Sequence, residues 1–252
     1  MIPVKSEQAM ARMRVSNGMA ARVRDELAAM IAPGVSTAEL DRYAEERIRG
    51  MGATAAFKGY RGYPASVCVS INQQVVHGIP GSYVIRDGDV VSVDVGVVFD
   101  GYVGDTATTV LVGEPREGVT EVLGTAWKAL ERAIGQAVEG RRLGDISHAV
   151  QSTVEGAGYS VVREFVGHGI GRSMHEDPQI PNFGKAGRGP RLRRGMTLAI
   201  EPMVNLGKAS VRVLDDEWTV ETCDGLPSVH VEHTVAVGKD RAEILTVPEN
   251  AI

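Results

Sequence analysis

Asp94, Asp105, His168, Glu201 and Glu232 follow one another along a chain of 252 residues, and four carboxylates with one imidazole are the donor set for a pair of hard or borderline divalent cations. The first two carry the most information. Val90–Phe99 and Tyr102–Val112 are β-branched runs on either side of Asp100-Gly101, a dipeptide that favours a two-residue hairpin turn because both residues tolerate positive φ. A turn of that length pairs Phe99 with Tyr102, which sets Gly96 opposite Asp105 and Asp94 opposite Ala107. The aspartates then share one face of adjacent strands as diagonal neighbours, with Cα atoms roughly 7 to 8 Å apart. Like charges so close in a protein interior repel unless a proton or cation is shared between them, and two metal ions about 3.5 to 4 Å apart suit such a pair. The alternative is a solvated strand face that carries two unrelated acids.

A diverged internal duplication favours the metal site. Arg86–Asp94 resembles Arg193–Glu201, with a glycine six positions before the acid in both and an offset of 107 residues. An offset of 106 relates Gly34 to Gly140, Leu40 to Ile146, Gly50 to Gly156 and Gly52 to Gly158. Asp105-Thr106 running into Val110–Gly113 echoes Glu232–Thr234 running into Val235–Gly238. Each half therefore supplies two acids from equivalent strands, as expected of a site on a pseudo-two-fold axis.

The elements that must position these residues read as two helices followed by strands in each half. Met13, Ala20, Val23, Leu27 and Met30 recur at helical spacing within residues 6–31, and Pro33-Gly34 ends the segment. Ser36 with Glu39 makes a capping box for a second helix that runs to Gly50–Gly52. Val119, Leu123, Trp127, Leu130, Ile134 and Val138 trace a third before Gly140, and Asp145 caps a fourth that ends at Gly156–Gly158. Strands are expected at 66–72, 90–99, 102–112, 160–167, 196–204, 209–213 and 229–237, with all five ligands in strand-like segments. The sum is an α+β fold, one curved and largely antiparallel sheet covered by two helix pairs. No linker of disordered composition divides the halves, roughly 1–115 and 116–252, so residues 1–252 are read as a single domain.

Composition agrees with an enzyme-sized core, since 43% of the residues are hydrophobic. A net charge of −5 argues against nucleic acid as the main partner and against specific DNA binding. Two cysteines, Cys68 and Cys223, are too few for a secreted disulfide framework, no apolar run is long enough to span a bilayer, and Met1–Glu7 lacks the features of a signal peptide. A cytoplasmic location and a monomer are expected. Lys185–Arg194 packs five basic residues into ten, a solvated loop or a contact for RNA or another acidic surface.

His168 sits among glycines in Phe165–Gly171, where missing side chains leave the imidazole room to reach a buried ion. That run lacks the spacing and strand-to-helix context of a dinucleotide loop, and neither a nucleophile elbow nor a Walker loop occurs. His175 and His77 remain as candidate proton donors beyond the ligand set.

Taken together, Gly59–Cys68, Val76–Pro80, Asp94 with Gly104–Thr106, Gly167–Gly171, His175–Pro178, Ala199–Pro202 and Val231–Thr234 resemble the type I methionine aminopeptidases of the bacterial kind, across essentially the whole chain. The resemblance implies the pita-bread fold shared with creatinase and prolidase and a single catalytic metallopeptidase domain. Only 30 residues separate Glu201 from Glu232, which leaves no room for the helical insertion of the type II enzymes. It further implies removal of the initiator methionine from nascent proteins and peptides whose second residue is small. Two divalent ions (Co, Mn, Fe or Zn) are then held with Asp105 and Glu232 bridging, Asp94 chelating one ion, and His168 with Glu201 completing the other. Glu201 is the implied general base for a water polarised by the cations. His175 stabilises the tetrahedral intermediate, His77 contacts the scissile nitrogen, and Tyr60, Tyr63, Cys68 and Trp218 receive the methionine side chain. Phe57 and Met174 depart from common family residues beside that pocket, where a small thiol and an aromatic are usual. A structural monovalent cation is expected near Asn72, Gln74 and Ser228. The competing readings are a prolidase-like exopeptidase of the same fold and a non-enzymatic protein that binds the ribosome through 185–194.

Overall fold

The computed structural model, which describes residues 2–248, has four helices and fifteen short strands. In the first half α1 (Glu7–Met30) and α2 (Thr37–Gly50) precede β1 (Thr54–Ala55), β2 (Cys68–Ile71), β3 (Gln74–Val76), β4 (Val90–Phe99) and β5 (Tyr102–Leu111). In the second, α3 (Val119–Ile134) and α4 (Leu143–Gly156) precede β6 (Ser160–Val161), β7 (Val166–Gly169), β8 (Glu176–Pro181), β9 (Thr197–Ile200) and β10 (Met203–Asn205). β11 (Val211–Val213), β12 (Val220–Thr222), β13 (Ser228–His230), β14 (His233–Ala236) and β15 (Glu243–Ile244) complete it.

The hairpin register is as the turn dipeptide dictates. Asp100 and Gly101 take φ of 48° and 74°, Phe99 pairs with Tyr102, Gly96 with Asp105, and Asp94 with Ala107. β4 pairs along its length with β5, and with β2 and β1 on its other edge. The duplication is visible in the pairing. β9 and β14 pair antiparallel as β4 and β5 do, and β7 lies against β9 as β2 lies against β4. Every pairing between named strands is antiparallel, but the curved sheet is hydrogen-bonded in four pieces.

Each helix pair covers its own half. Ala20, Val23 and Leu27 of α1 and Leu40, Ala44 and Ile48 of α2 pack on the valines of β4, while α3 and α4 pack on β9, β10, β13 and β14. The Ser36–Glu39 capping box forms, with Ser36 N–H donating to Glu39 Oε2 at 2.8 Å.

Several boundaries differ from the sequence pattern. α3 stops at Ile134, so Val138 lies outside it, because Gly135 follows and the chain turns. Asp145 is not the first cap of α4 but lies three residues in, where its carboxylate accepts from Arg142 N–H at 2.8 Å. The runs 160–167, 196–204 and 229–237 are each interrupted, and Glu201 and Glu232 occupy interruptions rather than strands. Pro202, which has no N–H to give a ladder, follows Glu201, while Glu232 N–H crosses to Ala107 O at 3.0 Å. β8 carries Glu-Asp-Pro and offers no apolar alternation to signal a strand.

α1 reaches the ligand strand at Gly104, where an added Cβ would stand 2.5 Å from the Ser16 carbonyl and 2.6 Å from Asn17 Cα. Both contacts are backbone and cannot rotate away. Gly104→Ala is therefore expected to cost about 1 to 3 kcal/mol and to weaken divalent-ion binding by displacing Asp105, as read by melting temperature and metal titration. Unchanged values of both would show that α1 yields at no cost.

Candidate metal centre and its cavity

A cavity of about 300 Å3 opens between the halves, and all thirteen residues singled out as ligands, acid–base groups or pocket walls line it. Carboxylate oxygens of Asp94, Asp105 and Glu232 lie within 4.8 Å of one another. His168 Nε2 stands 3.7 Å from Asp105 Oδ2 and 3.6 Å from Glu201 Oε1. Asp94 Oδ1, Asp105 Oδ1 and Glu232 Oε1 are buried without a hydrogen-bond partner. Orphaned carboxylate oxygens that converge on one space fit a cation, since a buried acid otherwise needs a donor or a proton.

The backbone behind the acids is tied across the halves. Thr106 Oγ1 donates to Glu232 O at 2.9 Å, Thr234 Oγ1 donates to Asp105 O at 2.8 Å, and Asp105 N–H donates to Asn17 Oδ1 at 3.3 Å. Arg24, on α1, donates to Thr106 Oγ1 at 2.8 Å.

Burial pushes the Asp94 carboxyl up to about 7, and burial with the neighbouring acids raises Asp105, Glu201 and Glu232 well above the carboxylate range. Burial lowers His168 to about 3, so its imidazole is neutral. Its Nδ1 lies 2.9 Å from Gly169 O, an acceptor that fixes the proton on Nδ1 and leaves the Nε2 lone pair facing the acids. This is the protonation state a metal ligand requires.

Above the acids, burial lowers His77 to about 4 and also lowers His175, with a further push from His175 and Arg61 respectively. His77 adopts a φ of 61° although it carries a side chain, backbone strain of a kind concentrated at working sites. Its ring meets Phe165 and Trp218 edge-on, at 5.6 and 6.3 Å between centroids. The apolar wall is built from Phe57, Tyr63 and Trp218, with Cys68 opposite Asp94 in the β2–β4 register and its thiol pushed up by burial. Phe57 and Met174 converge over Gly96, where a Cβ would stand 2.7 Å from Phe57 Cε1 and 3.0 Å from Met174 Cε. The two unusual pocket residues thus fill the space that a missing side chain leaves. Tyr60 was expected only as pocket wall, yet its hydroxyl lies 2.8 Å from His175 Nδ1.

Sequence reasoning passed over three residues here. His230 is buried, its Nε2 has no partner, and it lies 3.8 Å from Glu201 Oε2. Asn182 Nδ2 donates to Glu201 O at 3.2 Å. Phe165 registers in the sequence only as the start of a glycine-rich run. The one signal was proximity, since His230 lies two residues from Glu232.

The pattern of Metallopeptidase family M24 matches residues 11–239. The methionine aminopeptidase of Clostridium perfringens is 49% identical over 247 residues, covering 98% of this chain and 99% of the relative. The crystal structure of methionine aminopeptidase from Thermotoga maritima superposes with a TM-score of 0.96 at 45% identity, covering 98% of this chain and 100% of that one. Prolidase from Pyrococcus furiosus is 22% identical with a TM-score of 0.80, covering 98% of this chain and 66% of that one, a likeness of fold alone.

An acid whose folded-state pKa is raised holds its proton more tightly when folded, so its contribution to stability is lost as pH rises from the unfolded value through the folded one. For Asp94 that window runs from 3.8 to about 7. Chelated protein is expected to lose thermal stability across it, and saturating divalent ion is expected to abolish the decline, because the cation replaces the protons. Asp94→Asn should flatten the profile. A melting temperature that is level or rises with pH in chelated wild type would exclude a strained acidic cluster. Asp105→Ala should remove most metal affinity, and calorimetry that finds two undiminished sites would contradict this.

Proposed function

The chain belongs to metallopeptidase family M24, and we infer that it is a metal-dependent hydrolase that removes N-terminal methionine from peptide chains. The observation that carries the reading is the set of orphaned, buried carboxylate oxygens at the floor of a cavity whose wall is aromatic and thioether. We propose that Asp94, Asp105, His168, Glu201 and Glu232 would hold two divalent cations, of Mn, Fe, Co or Zn, with Asp105 and Glu232 each offering both carboxylate oxygens. Such ions supply Lewis acidity at the scissile carbonyl and lower the pKa of water.

The chain's own residues would do the rest. Phe57, Tyr60, Tyr63, Cys68, Met174 and Trp218 receive the methionine side chain, a flexible thioether that aromatic edges bind well. Glu201 takes the proton of the attacking water, as a carboxylate within reach of the cavity can. His175 donates to the carbonyl oxygen as charge builds there, and His77 faces the scissile nitrogen. Phe165 and Trp218 hem in His77, which supports a preference for a small second residue.

The finer biological reading rests on the surface. The basic side chains of the 185–194 loop, Lys185, Arg188, Arg191, Arg193 and Arg194, are all exposed, which supports contact with ribosomal RNA during synthesis of a nascent chain. Free Cys68 and Cys223 support a cytoplasmic location, and no helix among the described residues is long and apolar enough to cross a membrane. Only Val4, Tyr83, Val84 and Val213 expose large apolar side chains among the described residues, which supports a monomer. Asn72 O accepts from Ser228 N–H at 2.9 Å, which brings together two of the three residues proposed, with Gln74, around a structural monovalent cation. Charge reversal at Arg188 and Arg191 should abolish co-sedimentation with ribosomes, and retention would remove the docking role.

The activity is tested by hydrolysis of Met-Ala-Ser against Met-Leu-Ser and an X-Pro peptide while each metal is titrated into chelated protein. Preference for the X-Pro peptide would make the enzyme prolidase-like. Glu201→Gln should abolish turnover yet keep at least one ion, because the amide retains an oxygen donor but cannot accept a proton; kcat near wild type would remove its role as base. His175→Ala should lower kcat and kcat/KM together, on the order of 10² to 10³, with unchanged metal content. Loss of an ion in that variant would make His175 a ligand instead.

A further inference from the structure

Tyr60 lies in a tight reversal. Gly59, Arg61 and Gly62 on either side of it take φ of 82°, 49° and 92°, and Tyr63 N–H closes the turn onto Tyr60 O at 2.9 Å. Its ring is tilted 33° to that of His175, with centroids 5.4 Å apart, and the Arg61 guanidinium lies over its other neighbourhood at 5.4 Å from the ring centroid. The segment that carries His175 is also held. Glu176 Oε1 accepts from Arg172 N–H at 2.9 Å, and Glu176 Oε2 accepts from Lys5 Nζ at 2.6 Å. Two constrained segments therefore meet through a single hydrogen bond, Tyr60 Oη to His175 Nδ1 at 2.8 Å.

The polarity of that bond decides what His175 can do. A neutral imidazole has one N–H and one lone pair, and which nitrogen holds the proton is set by the partner of the other. If Nδ1–H donated to the phenol oxygen, Nε2 would present a lone pair to the cavity. If the phenol donates, Nε2 carries the N–H. Of the two arrangements this one joins the stronger acid to the stronger base, since a phenol O–H is a better donor than a neutral imidazole N–H and the imidazole lone pair a better acceptor than a phenol oxygen. We propose that Tyr60 is a positioning residue whose hydroxyl donates to Nδ1 of His175 and thereby places the imidazole proton on Nε2, the nitrogen that this bond leaves free for a substrate in the cavity. This rests on the reading of His175 as the donor to the carbonyl oxygen, and assigns to Tyr60 a part in catalysis beyond that of a pocket wall.

Tyr60→Phe removes one oxygen and keeps the ring. In zinc-loaded enzyme, a diamagnetic form, kcat for Met-Ala-Ser should fall on the order of 10-fold or more while KM stays within about twofold, since the wall that meets methionine is intact. Long-range 15N–1H spectra of histidine-labelled protein, with and without zinc, supply a readout independent of turnover. Wild type should show His175 as the Nε2–H tautomer with an acceptor Nδ1, and Tyr60→Phe should move the two shifts towards each other. A wild-type His175 protonated on Nδ1, or a variant with unchanged kcat or a changed KM alone, overturns the proposal. Absence of methionyl-peptide hydrolysis in wild type would instead count against the function, and normal kcat in His175→Ala against the donor role, each distinguishable from failure of the Tyr60 bond.

Discussion

Asp94, Asp105 and Glu232 bring donor oxygens within 4.8 Å of one another in a buried space, with Glu201 close by across His168. Repulsion of this kind is ordinarily relieved by small movements of the chain, and here the surroundings prevent it. The segments that carry the acids are tied by Thr106 to Glu232 O, by Thr234 to Asp105 O and by Asn17 to Asp105 N–H. α1 presses on Gly104, leaving no room for retreat. Arg24 lies behind Thr106 and lowers the cost of ionising Glu232, but it has no bond to any of the four carboxylates. With motion blocked, the charge must be met by protons or by cations in the cavity, so a rigid scaffold converts electrostatic strain into affinity for metal.

The same burial acts oppositely on the histidines. His77, His168 and His230 are all driven towards the neutral form. A neutral imidazole is both a lone-pair donor and an N–H donor, so its function turns on the partner that each ring nitrogen finds. For His168 the partner is Gly169 O, which points a lone pair at the acids; for His175 it is the hydroxyl of Tyr60. His230 has no partner at Nε2 and stands beside Glu201. Proton placement on His168 is thus set by a backbone carbonyl outside the acidic cluster.

Much of this was legible because β-structure has a period of two. Asp100-Gly101 determined the turn, the turn determined the register, and the register put Asp94 and Asp105 on one face without reference to any relative. The helices were legible from apolar spacing and from caps such as Ser36 with Glu39. What the pattern hid were places where the chain leaves its period. Glu201 and Glu232 sit in breaks within apolar runs, and hydrophobicity does not register a break when both sides are buried. Arg24, Asn182 and His230 support the site as isolated polar residues brought in by tertiary packing, which no local spacing records. The second role of Tyr60 depends on 2.8 Å between residues 115 positions apart.

Those breaks also account for the position of the site. At Glu232 the chain stops pairing within its own half and donates its N–H to Ala107 O of the first, while Thr106 reaches back to Glu232 O. The junction of the duplicated halves is therefore made by the same residues, 105–107 and 232–234, that bear two of the acids. The second half carries glutamates, in breaks, where the first carries aspartates on strands. One extra methylene gives a side chain that leaves from a break more reach with which to converge on shorter ones that leave from a strand. An Asp at 201 or 232 would keep the charge but lose that reach, so the difference in acid between the halves follows from the geometry of their junction.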